Sequence, residues 1–464
     1  MNIHSCVISP RLKSALSPHA QSVEGTQSKY GRLFPHLSPL TIDEALLLKL
    51  GRAGSTMDLA AHPSDDRDTL TDNPRIPAGF TFLGQFIAHD ITADRSLLLH
   101  HARLNELRNF RQPRLDLECV YGAGPSGDPF LYDLEDPDKF LLGINDAGNP
   151  DDVPRNHQGR ALVADPRNDV HLFISQLHLA LLKFHNRVVD HLRQQGTPAA
   201  SVFEEARRLV RWHYQWLIVH EFLPLTVGEE LVEEILQEGP RFFAAEEQQQ
   251  VYIPVEFADA AYRFGHSQIR PRYVLNSRGA SGQVFPDCAG TCPVEAARTL
   301  EWSYYFAIPG CSAPQASKRI DSWMAHPLLD LPVRVVGETD IPEQKSLAYR
   351  DLERGEALEL PSGEAVARLM NVRPLTPKEA GLSELGWQGE TPLWYYLLKE
   401  AEVYRQGQYM GPVGGRIIAE VLLGLLLYDP TSYWQAPDEW TPTLPSAEPQ
   451  QFTMADLLLF AGVA

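Results

Sequence analysis

Three short stretches carry residue types suited to proton and metal chemistry: Gly84-Gln-Phe-Ile-Ala-His-Asp90, Asp165-Pro-Arg-Asn-Asp169 and Tyr262-Arg-Phe-Gly-His266. Histidine shuttles protons because its pKa lies near neutrality. Arginine is a fixed cation. A further histidine, its second ring nitrogen held by an acceptor, can ligate a metal and set that metal's electron density. Together these are the parts that heterolysis of an O–O bond demands. A metal takes one oxygen, a base moves a proton from the near oxygen to the far one, and a cation faces the developing negative charge. Any one of these residues alone is more often an ordinary core or ion-pair residue.

The elements that must position them are mainly helical. Gln85 lies one turn before His89, so a helix over 80–90 puts both on one face. Val170, Phe173, Ile174, Leu177, Leu181, Phe184 and Val188 recur at helical spacing, which predicts a long helix to Leu192. Leu172, Leu179, Leu182 and Val189 extend its apolar surface, so it should be buried on most sides. Asn168 and Asp169 are suited to cap it. Further helices are expected over 41–50, 202–238, 255–269, 363–370, 393–404 and 416–428. Val333-Arg-Val-Val336 reads as a short strand. Long irregular connections hold many of the 36 prolines, as expected when a large cofactor sits in the middle.

Composition narrows the partners. The 41 basic and 60 acidic residues leave a formal charge of −19, which repels phosphate backbones and anionic membranes and argues against nucleic acid. The longest apolar run, Ile417–Tyr428, is short and contains Glu420, so it reads as a buried helix rather than a membrane span. The first residues lack the apolar core of a signal peptide, and the expectation is a cytoplasmic protein, with secretion by another route as the alternative. Five cysteines in 464 residues make no disulfide framework. Cys288-Ala-Gly-Thr-Cys292, with Cys311 nearby, lacks the paired spacing and fourth ligand of a structural zinc site.

The three stretches, in this order, resemble the signature segments of the animal haem peroxidases, the peroxidase–cyclooxygenase superfamily, in a form like the shorter bacterial members. Leu115-Asp-Leu-Glu-Cys-Val-Tyr-Gly122, Leu352-Glu-Arg354 with Leu360-Pro-Ser-Gly363, and Gly411-Pro-Val-Gly-Gly-Arg416 extend the resemblance over residues 40–430. It implies a large helical domain over 41–430, an extended arm over 1–40 and an extension over 431–464. It also implies a haem peroxidase that acts on peroxide and a small electron donor, either a phenol or an easily oxidised halide. In that likeness His89 is the distal proton carrier, Gln85 orders distal water and halide, and Arg167 stabilises the leaving oxygen. His266 is the iron ligand, Asp351 the acceptor for its second nitrogen, and Arg263 and Arg354 the partners of haem propionates. Asp90, Asp116 and Glu118 are hard oxygen donors placed where relatives hold Ca²⁺.

Two departures matter. Relatives that esterify haem use an Asp before the distal histidine and a Glu three residues after the distal arginine; here Ala88 and Val170 stand there. The haem, of b type, should therefore be held without covalent bonds. His171 occupies the place of a sulfonium-forming methionine in one branch. Asp351 stands where relatives carry Asn, so His266 should have more imidazolate character. One alternative within the superfamily is fatty-acid dioxygenation, which uses a radical tyrosine three residues before the proximal histidine; Arg263 holds that position and Tyr262 precedes it. The other alternative is a non-enzymatic haem-binding protein.

Overall fold

Pro77 and Gly79 punctuate the entry to the first of the chemistry-bearing helices, and an unbroken apolar sequence then drives it into the interior. The computed structural model describes residues 30–62, 71–93, 107–244, 251–290, 293–339 and 341–464. Among them, the helices of seven residues or more are α1 (Glu44–Gly51), α2 (Gly79–Ile91), α3 (Leu172–Gln194), α4 (Val202–Leu217), α5 (Glu229–Glu238), α6 (Leu347–Ala357), α7 (Gly363–Leu369), α8 (Leu393–Arg405), α9 (Pro412–Tyr428) and α10 (Met454–Ala461). The fold is mainly α, as expected. Six short strands pair two by two: β1 (Tyr30–Gly31) with β3 (Ile253–Pro254), β2 (Asp72–Pro77) with β6 (Ala316–Lys318), and β4 (Tyr273–Val274) with β5 (Ser281–Gly282).

Helix α2 is buried along its whole length. It packs on α3 through Phe82 and Phe173, whose rings stack with centroids 4.5 Å apart. Such a pair adds about 0.5–1.5 kcal/mol beyond its buried area. Helix α9 buries Glu420, which accepts from the backbone N–H groups of Phe242 and Phe243 and pairs with Arg416. That explains a carboxylate inside the greasiest run. No described helix is long and apolar enough to cross a membrane.

Several local expectations change. The 202–238 block is not continuous: a π-helical turn follows α4 at Ile218–Phe222, and Gly228, at φ +93° against the Tyr409 ring, separates α5. Val333–Val336 is a single helical turn, not a strand, begun after Pro332 and stopped at Gly337 with φ +81°. Valine's strand preference gives way because no neighbouring strand pairs with it there. The expected helix over 255–269 breaks into a turn at Val255–Ala258 and a 3₁₀ segment at Ala261–His266, because Ala260 leaves helical geometry at φ −137°, ψ −77°.

Residues 1–29 of the expected arm lie outside the described residues. Leu33 and Phe34 are buried and donate backbone N–H groups to Glu256. Residues 431–464 pack back on the same core: Phe452 and Phe460 meet Phe184 of α3, and Glu221 accepts the N–H of Met454 at the start of α10.

Candidate cofactor site

A small cavity of about 30 Å³ opens between α2 and the 3₁₀ segment, with Phe80, Thr81 and Gln85 on one wall and Tyr262, Phe264 and His266 on the other. Buried polar atoms are ordinarily hydrogen-bonded. Here Thr81 Oγ1, Gln85 Nε2 and Tyr262 OH are buried with no hydrogen-bond partner among the described residues. A small polar ligand in this cavity would supply the partners these three atoms lack.

The surroundings of His266 suit metal ligation. Its Nδ1 lies 2.5 Å from Asp351 Oδ2. Burial works to raise the Asp351 pKa, but His266 and the Arg263 guanidinium outweigh it and hold the carboxyl below its usual range. Burial pushes His266 down against the pull of Asp351. A neutral imidazole that donates Nδ1–H to a carboxylate keeps its lone pair on Nε2.

Arg263 and Arg354, expected to meet propionates, both lie against carboxylates of the chain. Arg263 Nη1 lies 2.5 Å from Asp351 and its Nη2 2.5 Å from Asp259, while Nε donates to Ala258 O. Arg354 Nε donates to Asp259 at 3.0 Å. Two buried cations thus face two buried carboxylates. The break at Asp259 and Ala260 creates this arrangement, because it turns the Asp259 side chain inward.

On α2, one turn beyond Gln85, His89 is fully buried and its Nδ1 lies 2.8 Å from Asn168 Oδ1. Asn168 Nδ2 in turn lies 3.1 Å from His178 Nδ1. With the amide so oriented, His89 carries its proton on Nδ1 and its Nε2 is basic. Asn168 therefore does not cap α3; His171 does, accepting from Ile174 N–H. Asp169 instead pairs with Arg155.

Arg167, expected to stabilise the leaving oxygen, lies against Asp165. Its Nε and Nη2 engage Asp165 at 3.0 and 2.7 Å, and Nη2 reaches the carbonyls of His89 and Thr92. A cation at the carbonyl end of a helix is favourable, and here it fixes the end of α2 that bears His89. Arg111 binds Asp165 as well, and Glu118.

Asp90, Asp116 and Glu118, the expected calcium donors, all have partners within the chain. Among the described residues no group of three His, Cys, Asp or Glu side chains is placed to hold a metal ion. Asp90 accepts the N–H groups of Leu117 and Cys119, and Glu118 is taken by Arg111. Asp116 accepts Glu118 N–H, and burial with the Glu118 charge pushes it up to about 6. Arg111 supplies positive charge in this acidic region, a role the linear sequence did not reveal. Cys288 is buried and free and Cys311 exposed and free, while Cys292 lies outside the described residues.

The fold is similar to that of helical haem peroxidases and fatty acid dioxygenases of known structure. The family model for animal haem peroxidase matches residues 99–289. Curated relatives include peroxidasin of Drosophila melanogaster, 24% identical over 40% of this chain and 13% of that protein. Thyroid peroxidase of Homo sapiens is 28% identical over 40% of this chain and 22% of its own length. The chain thus spans less than a quarter of either relative. Among solved structures, peroxidase A from Dictyostelium discoideum superposes with a TM-score of 0.63 at 17% identity, covering 89% of each chain. A fatty acid alpha-dioxygenase of Oryza sativa gives 0.62 at 14% identity, covering 88% of this chain and 76% of that one. Residues 99–289 of the chain are thus similar to the animal haem peroxidases.

Proposed function

We propose that the chain is a haem-dependent peroxidase that reduces hydrogen peroxide or hydroperoxides and oxidises small phenols or easily oxidised halides. The observation that carries this reading is His266, locked through Nδ1 to Asp351 on a cavity wall that Gln85 faces from α2. Haem b, bound non-covalently, would be ligated by His266 and packed against Phe80 and Phe264; bound there, it supplies a redox-active iron for hydroperoxide cleavage. His89 keeps Nε2 basic by giving Nδ1–H to Asn168, and carries a proton from one hydroperoxide oxygen to the other. Arg167 holds the backbone around His89 in place. The test is direct: the haem-loaded protein should consume hydrogen peroxide while oxidising a phenol, with essentially no chloride oxidation near neutral pH. A loaded protein inert to peroxide overturns the reading.

Two expected outcomes separate this site from its esterified relatives. Acidified organic solvent should extract intact haem, because Ala88 and Val170 cannot form esters; haem retained by the denatured polypeptide would reveal another covalent link. Asp351→Asn should raise the Fe(III)/Fe(II) potential in spectroelectrochemistry. The carboxylate gives His266 imidazolate character, which stabilises Fe(III) and lowers the potential. A potential unchanged or lowered in that variant contradicts the electronic role of Asp351.

A second reading, fatty-acid dioxygenation, is favoured by one feature: the buried Tyr262 hydroxyl, without a hydrogen-bond partner among the described residues, on this same cavity. Oxygen uptake with a long-chain fatty acid, abolished by Tyr262→Phe, would select it over the peroxidase.

A further inference from the structure

The amide of Gln85 has two ends of opposite hydrogen-bonding character, and which end faces the cavity decides what the cavity can bind. We propose that His171 is the positioning residue that settles this. It holds the Gln85 carbonyl oxygen away from the cavity and turns the NH₂ group in, so the site offers a donor and favours ligands that accept, such as a hydroperoxide oxygen or a small anion.

The assignment follows from one unambiguous group, a backbone N–H. Ile174 N–H, in the first turn of α3, lies 3.3 Å from His171 Nδ1. A backbone N–H only donates, so Nδ1 must carry a lone pair. His171 is buried, and burial with the nearby His89 pushes its pKa down to about 3. The ring is therefore neutral and its proton sits on Nε2. That nitrogen lies 2.9 Å from Gln85 Oε1, so the Gln85 atom there must be the acceptor oxygen. The opposite end of the amide, Nε2, is buried without a hydrogen-bond partner among the described residues, and Gln85 lines the cavity beside Thr81, whose hydroxyl is in the same condition.

The imidazole cannot easily turn over. Phe82, Phe173 and Phe285 surround it with ring centroids at 5.6, 5.8 and 5.9 Å. A flipped ring would put carbon atoms where both hydrogen bonds now form. The Nε and Nη2 donors of Arg167 are directed to Asp165 and backbone carbonyls, while α2 brings the Gln85 NH₂ and the Thr81 hydroxyl to the cavity. The ligand class rests on the peroxidase reading; the orientation of the amide does not.

Two measurements test this separately. In the haem-free full-length chain labelled with ¹⁵N-histidine, the His171 signals, assigned by their loss in His171→Asn, should show a protonated Nε2 and an unprotonated Nδ1 from pH 5 to 8. A proton on Nδ1, or an imidazolium within that range, overturns the proposal whatever the protein's activity. In the haem-loaded ferric protein, azide binding is read from the Soret shift. His171→Asn keeps an oxygen to cap Ile174 N–H but falls short of Gln85, so azide affinity should drop about tenfold, as for one lost hydrogen bond to a charged group, with the thermal midpoint nearly unchanged. His171→Gln, long enough to donate to Gln85, should restore the affinity. Equal azide affinity in all three proteins, or loss that tracks thermal stability alone, would show that His171 only caps α3. Failure of the chain to bind haem would sink the peroxidase reading while the tautomer measurement still decides the Gln85 orientation.

Discussion

Replacing His266 by alanine is expected to strip the protein of tightly bound haem, seen as loss of the Soret band and of haem in a pyridine haemochrome assay. The expectation rests on the two imidazole nitrogens: Nδ1 faces Asp351, and ligation is proposed through Nε2. Deleting one partner of a buried pair commonly costs about 3–5 kcal/mol. Here Arg263 still faces Asp351 at 2.5 Å, so the carboxylate is not left alone and the variant should fold. The loss then reads out in cofactor retention rather than in yield. Added imidazole, which can occupy the vacated space, should recover part of the band. An alanine variant with the parent's spectrum would remove His266 as the ligand.

His89→Ala is expected to leave haem bound and to slow the reaction with hydrogen peroxide by about 10²–10⁴, the usual contribution of a positioned proton carrier. The imidazole is fully buried, and its tautomer is set by Asn168, itself held by His178. Asn168→Ala should therefore act in the same direction but less strongly, because the imidazole survives while its proton is no longer directed to Nδ1. Stopped-flow traces are the proper measurement, since steady-state rates can be limited by the electron donor. A His89→Ala protein that reacts at the parent's rate would rule out the role.

Much of the fold was legible because strong apolar periodicity leaves few alternatives. Helix α3 runs over Leu172–Gln194 against the expected 170–192, and α2 and α9 are buried as their sequences demand. The misses share a physical cause: tertiary partners that a linear sequence does not display. The break in 255–269 is stabilised when Asp259 meets Arg263 and Arg354, the latter 95 residues away. Val333–Val336 offered β-branched residues without a neighbouring strand. At the site, the types and order of His89, Arg167 and His266 were plain, whereas their surroundings were not. Asn168 looked like a capping residue and His171 like a substitute for a methionine, because an amide or imidazole acquires its role from whichever group lies opposite. Arg111 gave no signal at all, since its partners Glu118 and Asp165 come from separate segments.

The cavity walls come from α2 and from the 3₁₀ segment at 261–266, and the acceptor that prepares His266 comes from α6. Asp351 is 85 residues from His266, and the cavity's two walls are separated by more than that. No local piece of chain can hold this geometry by itself, so the site exists only once distant segments have closed on one another. Such non-local closure is slow compared with helix formation. A ligand that binds the closed arrangement and not the open chain adds its binding free energy to the stability of the whole domain. Capture of the proposed cofactor would thereby be a late event in folding, and a chain that had captured it would resist unfolding more than one that had not.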